Sequence, residues 1–188
     1  VLLGDTEMPT LSEKELAALR LTRFGFVFQQ AHLLTTLCLL DNIVLPGFLA
    51  GLRPRPEVTA RGEELMERMG IAELATSGVT EVSGGQLQRA GICRALINDP
   101  GIVFADEPTG ALNSATALQI LDLLGEIHAS GTTLVMVTHD SQVAARADRV
   151  LVLVDGQITE DLLLGRYEEA DGPSRLTTVT EALQRRSV

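Results

Sequence analysis

Aromatic side chains make up only 3% of this 188-residue chain, with one tyrosine and no tryptophan. Basic residues are outnumbered as well, 15 Lys and Arg against 25 Asp and Glu, for a net charge of −10. A surface that binds nucleic acid needs basic stripes or stacking rings, so this balance argues against nucleic acid as a partner. The two cysteines, Cys38 and Cys93, are too few for a disulfide framework and form no close metal-ligand pair. A reducing cytosol fits that usage. No apolar run approaches the ~20 residues that span a bilayer. The opening VLLGDTEMPT has neither the basic start nor the apolar length of a signal peptide. Membrane association is therefore expected to come through a partner. What is present is 45% hydrophobic residues, enough for a substantial core in one domain, or one domain with an appendage.

The densest signal is VSGGQLQRAGICRALINDPGIVFADE, from Val82 to Glu107. Ser83 suits a helix N-cap, and Gly84 and Gly85 let a ligand approach the backbone closely. Unpaired N–H groups in the first turn of the helix would suit a phosphate. From Leu87 the apolar residues Ala90, Gly91, Cys93, Ala95, Leu96 and Ile97 follow at helical spacing, with Gln88, Arg89 and Arg94 between them. Asn98, Asp99 and Pro100 end that helix. Ile102 to Ala105 is a short apolar run, the pattern of a parallel strand buried on both faces. Asp106 and Glu107 leave its carboxyl end, where ligands bind in open α/β sheets.

The remaining chain supplies an α/β frame. Val1 to Leu3 reads as the end of a strand running into a Gly4-Asp5 turn. Ser12 with Glu15 is a capping box opening a short helix through about Arg20. Phe24 to Phe28 reads as a strand, and Gln29 follows it. Leu39 to Gly51 and Pro56 to Gly70 are helical, separated by Arg53-Pro54-Arg55-Pro56. In the second of these, Glu63, Glu64, Glu67 and Arg68 lie on a solvated side, with Leu65, Met66 and Met69 packing. Ile71 to Glu81 is a polar connection. Thr116 to His128 is a further helix, Thr132 to Val137 another strand of the buried type, and Thr138-His139-Asp140 stands at its end. Val150 to Val154 and Gln157 to Thr159 form a hairpin around Asp155-Gly156. Thr180 to Arg186 is expected to be a terminal helix.

VSGGQLQR followed by IVFADEPTG, with VFQQAHLL earlier, resembles the ATP-binding subunit of an ABC transporter. The wording is most similar to the bacterial branch serving lipoprotein release and macrolide export. The resemblance implies a P-loop NTPase-like parallel sheet core with a helical subdomain, lacking part of its N-terminal side. It spans residues 1 to 160, with the helical subdomain at about 39–98 and a tail at 161–188. It implies an ATPase that binds ATP and Mg2+, with Asp106 and Gln29 at the metal. Glu107 would be the general base, and His139 and Gln29 would complete the ring around the terminal phosphate. Ser83, Gly84, Gly85 and Gln86 would form the signature turn, contacting nucleotide held by an opposite subunit, and Asn113 falls where the family usually has its D-loop aspartate. The implied partners are a transmembrane permease and a second ATPase subunit, identical or paired. The implied location is cytoplasmic, peripheral on the inner face of the cell membrane.

Nowhere in these residues is there a G-x-x-x-x-G-K-[ST] loop, whose backbone and lysine would hold the β and γ phosphates. Family order places that loop and its strand before Val1. The expectation is therefore a piece of a longer protein or a degenerate copy inactive by itself. Without the missing strand, Ile102 to Ala105 is expected to lose a sheet neighbour. A non-catalytic, partner-binding cassette and a soluble ABC ATPase unconnected to transport stand as the alternatives. A helicase reading of the Asp-Glu pair is disfavoured by the Ser-Gly-Gly-Gln turn upstream.

Overall fold

A computed structural model of the chain describes residues 2–3 and 6–185. Val1, the Gly4-Asp5 turn and Arg186 of the expected terminal helix lie outside the described residues. The chain packs as two units, Val1–Met136 and Val137–Val188.

In the first unit, β1 (Leu2–Leu3) pairs antiparallel with β2 (Thr6–Glu7). Helix α1 (Glu13–Arg23) opens on the expected capping box, with the Ser12 N–H donating to Glu15 Oε2 at 2.8 Å, and continues three residues past Arg20. Strand β3 (Phe24–Val27) follows directly. Helices α2 (Leu39–Ala50) and α3 (Arg55–Arg68) flank the Pro-containing break, α2 closing on Gly51 in the left-handed conformation. On α3 Leu65 and Met66, with Met69 just beyond, are buried, while Glu63, Glu64 and Glu67 face solvent. The connection after α3 holds two 3₁₀ turns, Ala72–Leu74 and Val79–Glu81, and buries Ile71. Then come α4 (Gly84–Leu96), β4 (Ile102–Asp106), α5 (Ser114–Ala129) and β5 (Thr133–Val137).

Strands β3, β4 and β5 form one sheet in that order, β3 and β4 being parallel with Val27 opposite Ala105. The chain reaches β4 from β3 through α2, α3 and α4, as a parallel pair requires a crossover. Strand β4 therefore has a neighbour on each side, which corrects the expectation that it would lose one. Strands β3 and β5 are the edges, and the expectation of a buried strand at Thr132 to Val137 is corrected, since Val135 and Val137 of β5 are 44% and 63% exposed. Burial on both faces is also corrected. Val103 and Ala105 are buried against the helices, whereas Ile102 and Phe104 on the other face are half-buried. There Phe24, Phe26 and Phe104 pack ring against ring, with centroids 5.4 to 6.5 Å apart. Aromatic faces and edges in such contact shield one another on this half-buried face.

The core lies between the sheet and α2, α3, α4 and α5. At Gly25 strand and helix meet closely, a Cβ there standing 2.6 Å from the Ala95 carbonyl oxygen of α4. Only a residue without a side chain lets α4 lie this close to β3. Asp99, beyond the end of α4, adopts φ +50° and accepts hydrogen bonds from Arg53 and Arg61, tying α3 and the break before it to the start of β4.

In the second unit, α6 (Ser141–Ala144) is capped by Asp140, whose Oδ1 accepts from the Gln142 N–H at 2.8 Å. Strands β6 (Arg149–Val154) and β7 (Gln157–Leu163) form the expected hairpin, with Asp155 and Gly156 both at positive φ, as a two-residue turn of this hand requires. Helix α7 (Gly172–Gln184) starts eight residues before the expected Thr180. Its Arg175 is 6% exposed and donates to the carbonyls of Ala145, Ala147, Gly165 and Arg166 at 2.6 to 3.0 Å, with its guanidinium 5.3 Å from the Tyr167 ring centre. One fixed fork of donors holds the tail to α6 and to the end of the hairpin.

Gly25→Ala is expected to cost roughly 1 to 3 kcal/mol through overpacking against α4. Urea unfolding checks it by a lowered midpoint at unchanged slope.

Candidate functional site

The parallel register of β3 and β4 brings the residues after Val27 and after Ala105 to one carboxyl edge. Gln29 and Asp106 are exposed there and Glu107 is half-buried. Glu107 takes φ +43°, a conformation rare outside glycine, and the next turn closes with the Gly110 N–H donating to the Glu107 carbonyl at 3.0 Å. Such a backbone is kept only where surrounding contacts over-determine it. Gln29 reaches this turn, since a Cβ on Gly110 would stand 2.9 Å from Gln29 Nε2. The sheet edge thus gathers Gln29, Asp106 and Glu107.

The segment beyond Gln29 is held from two helices. Arg94 of α4 donates to the carbonyls of Ala31 and His32 at 2.7 and 2.9 Å. Buried Asn42 of α2 accepts from the Leu34 N–H at 2.6 Å and donates to the carbonyls of Leu34, Leu37 and Cys38. Burial draws the Arg94 pKa below its ordinary value.

Ser83 to Gln86 form a second locus. Ser83 caps α4 reciprocally with Gln86: its N–H donates to Gln86 Oε1 at 2.8 Å, and its Oγ accepts from the Gln86 N–H at 3.4 Å. The Gln86 side chain therefore serves the cap, and the Gly84 and Gly85 N–H groups are the pair of the first turn left outside it. These residues line a cleft of about 440 Å³ with Arg89, Asn113, Thr116 and Gln119. Arg89 donates to Gln119 and to the Met69 carbonyl, fixing the cleft wall. Asn113 caps α5, its Oδ1 accepting from the Thr116 N–H at 3.0 Å, as an aspartate there would. The glycine amides at this helix start suit an anion. Neither Asp106 nor Glu107 lines it. His139 belongs to the second unit, exposed, one residue before the cap of α6.

Sequence reasoning passed over Gln88. It is 3% exposed, and its Nε2 donates to the Phe28 carbonyl at 3.0 Å and to the Pro108 carbonyl at 2.8 Å. The signal was present: Gly91, Ile92 and Ala95, three, four and seven positions on, are all buried. A polar residue thus stood on the apolar stripe.

The profile of the ABC transporter family matches residues 5–110. The chain belongs to the ABC transporter family. It is 44% identical over 155 residues to the macrolide export ATP-binding/permease protein MacB of Bartonella henselae, covering 82% of this chain and 23% of that protein. It is also 44% identical over 167 residues to MacB 1/2 of Paracoccus denitrificans, covering 89% of this chain and 25% of the relative. The chain thus spans about a quarter of the length of the curated relatives it matches. Among solved structures, the dimeric bacterial ABC transporter cassette MJ0796 superposes with TM-score 0.78 at 36% identity, covering 88% of this chain and 73% of that one. The same cassette in a post-hydrolysis state bound to ADP and Pi gives TM-score 0.73 at 33% identity over the same shares. The chain is an ABC transporter ATP-binding domain of P-loop NTPase fold, homologous to the ATPase portion of macrolide-export proteins. Among the described residues no helix is long and apolar enough to cross a membrane.

Asn113→Asp is expected to leave stability within about 0.5 kcal/mol, while Asn113→Ala loses the cap and about 1 kcal/mol. Urea midpoints of the two variants check the pair.

Proposed function

We propose that this domain binds and hydrolyses ATP and thereby powers export through a membrane permease. The observation that carries the reading is the convergence of Gln29, Asp106 and Glu107 at the carboxyl edge of β3 and β4. Phosphoryl transfer to water asks little covalent work of a protein and much positioning and charge stabilisation. Exposed Asp106 offers the oxygen ligands a hard cation prefers, and the Gln29 amide lies beside the same turn. Mg2+ would neutralise charge on the β and γ phosphates. Glu107, on its constrained turn, orients the attacking water and takes its proton. His139, next to the cap of α6, contacts the terminal phosphate.

Ser83, Gly84, Gly85, Gln86 and Asn113 line a cleft apart from the two carboxylates. That separation supports an active site shared between two ATPase subunits, in which the signature turn meets nucleotide held by its neighbour. Closure of the pair is then part of catalysis. The permease partner rests on the name ATP-binding/permease protein that the relatives carry, and a position on the cytoplasmic side of the membrane goes with that reading. The ATPase domain reaches to about residue 160, with its helical subdomain at 39–98.

In the full-length protein Glu107→Gln is expected to reduce ATP turnover by at least about 10²-fold while leaving ATP binding intact. Steady-state phosphate release, with nucleotide binding measured alongside, checks it; undiminished turnover removes Glu107 from the role of base.

A further inference from the structure

Gln88 lies within the buried stripe of α4, where an apolar residue would pack without penalty. A buried carboxamide is costly unless its donors find partners. Both partners lie outside its own helix. One is the carbonyl of Phe28, immediately before Gln29 and 60 residues away in sequence; the other is the carbonyl of Pro108, immediately after Glu107 and 20 residues away. A planar amide nitrogen carries two hydrogens in fixed directions. Two acceptors on that single nitrogen therefore have their separation and angle set by it. Arg94 and Asn42 direct their bonds to the segment 31–38. Gln88 joins the end of β3 to the turn after β4.

We propose that Gln88 is a positioning residue for ATP hydrolysis, its carboxamide setting the distance between Gln29 and the backbone that presents Glu107. Resting on the ATPase function proposed above, this also gives the signature turn a mechanical link to the water-activating carboxylate. Ser83 caps the same helix one turn before Gln88. A displacement of that helix end moves the carbonyls on both sides of the reacting edge together. Gln88 touches neither nucleotide nor water in this account.

The test is Gln88→Met in the full-length protein. Methionine keeps the length and bulk of the side chain and removes both donors. Expected is a fall in kcat of roughly ten- to a hundredfold, the size that sub-ångström to ångström misplacement of reacting groups brings, with KM for ATP unchanged. In a Gln29→Ala background the same substitution should cost clearly less, because one of the two groups it positions is already gone. Hydrogen exchange of the amides at 28–32 and 107–112 should accelerate together, while those in the middle of α4 stay protected. Unchanged kcat overturns the proposal, as does a loss of kcat that follows a lowered urea midpoint with α4 itself loosened. Equal losses with and without Gln29 overturn it too. If the wild-type protein shows no ATP hydrolysis, the proposed function fails instead. The exchange data then decide whether Gln88 couples the two segments, and unaltered exchange in both overturns it.

Discussion

The close seating of α4 against β3 is the constraint on which the first unit depends. At Gly25 the helix backbone comes so near the strand that no Cβ fits beside the Ala95 carbonyl. From that contact the rest of the site follows by chain connectivity. The N-terminal end of α4 presents the Ser83 turn, and its C-terminal end leads through Asp99 into β4. The sheet edge beyond β3 and β4 carries Gln29, Asp106 and Glu107. A shift of α4 would disturb both loci at once. A glycine packed against backbone therefore lies in a strand with no chemistry of its own.

Much of this was legible in the residues. The capping box at Ser12 and the N-cap at Ser83 marked two helix starts, and the apolar run before Asp106 marked a strand of the sheet, because caps and strands are local decisions of the chain. What was hidden depends on tertiary neighbours. The sequence could not show that β4 lies between β3 and β5, since strand order is a property of the assembled sheet. It also left open one face of that sheet, where the phenylalanines cover one another. Helix α7 began earlier than periodicity suggested because Arg175, a charged residue, is drawn inside by four carbonyl acceptors. Gln88 escaped for the same reason: a polar residue on an apolar stripe explains itself only when its acceptors are seen.

The two loci have different physical characters. The carboxyl edge offers exposed oxygens and a backbone held at an unfavourable φ, which suits a group that must be aimed. The signature cleft offers glycine amides at a helix start and a wall fixed by Arg89, which suits recognition of an anion. Separate loci on one chain are what a shared site between two copies requires. The dimeric cassettes this chain is similar to are consistent with that division.

Protection of the signature turn by nucleotide tests this account most directly. In full-length protein carrying Glu107→Gln, with Cys38→Ser and a cysteine introduced by Ser83→Cys, maleimide labelling would report contact at the turn. Cys93 is fully buried, and that burial also pushes its pKa up to about 12, so its labelling is expected to be slow beside that at position 83. The account predicts that ATP with Mg2+ strongly slows labelling at position 83. Labelling at the same rate with and without ATP would contradict it.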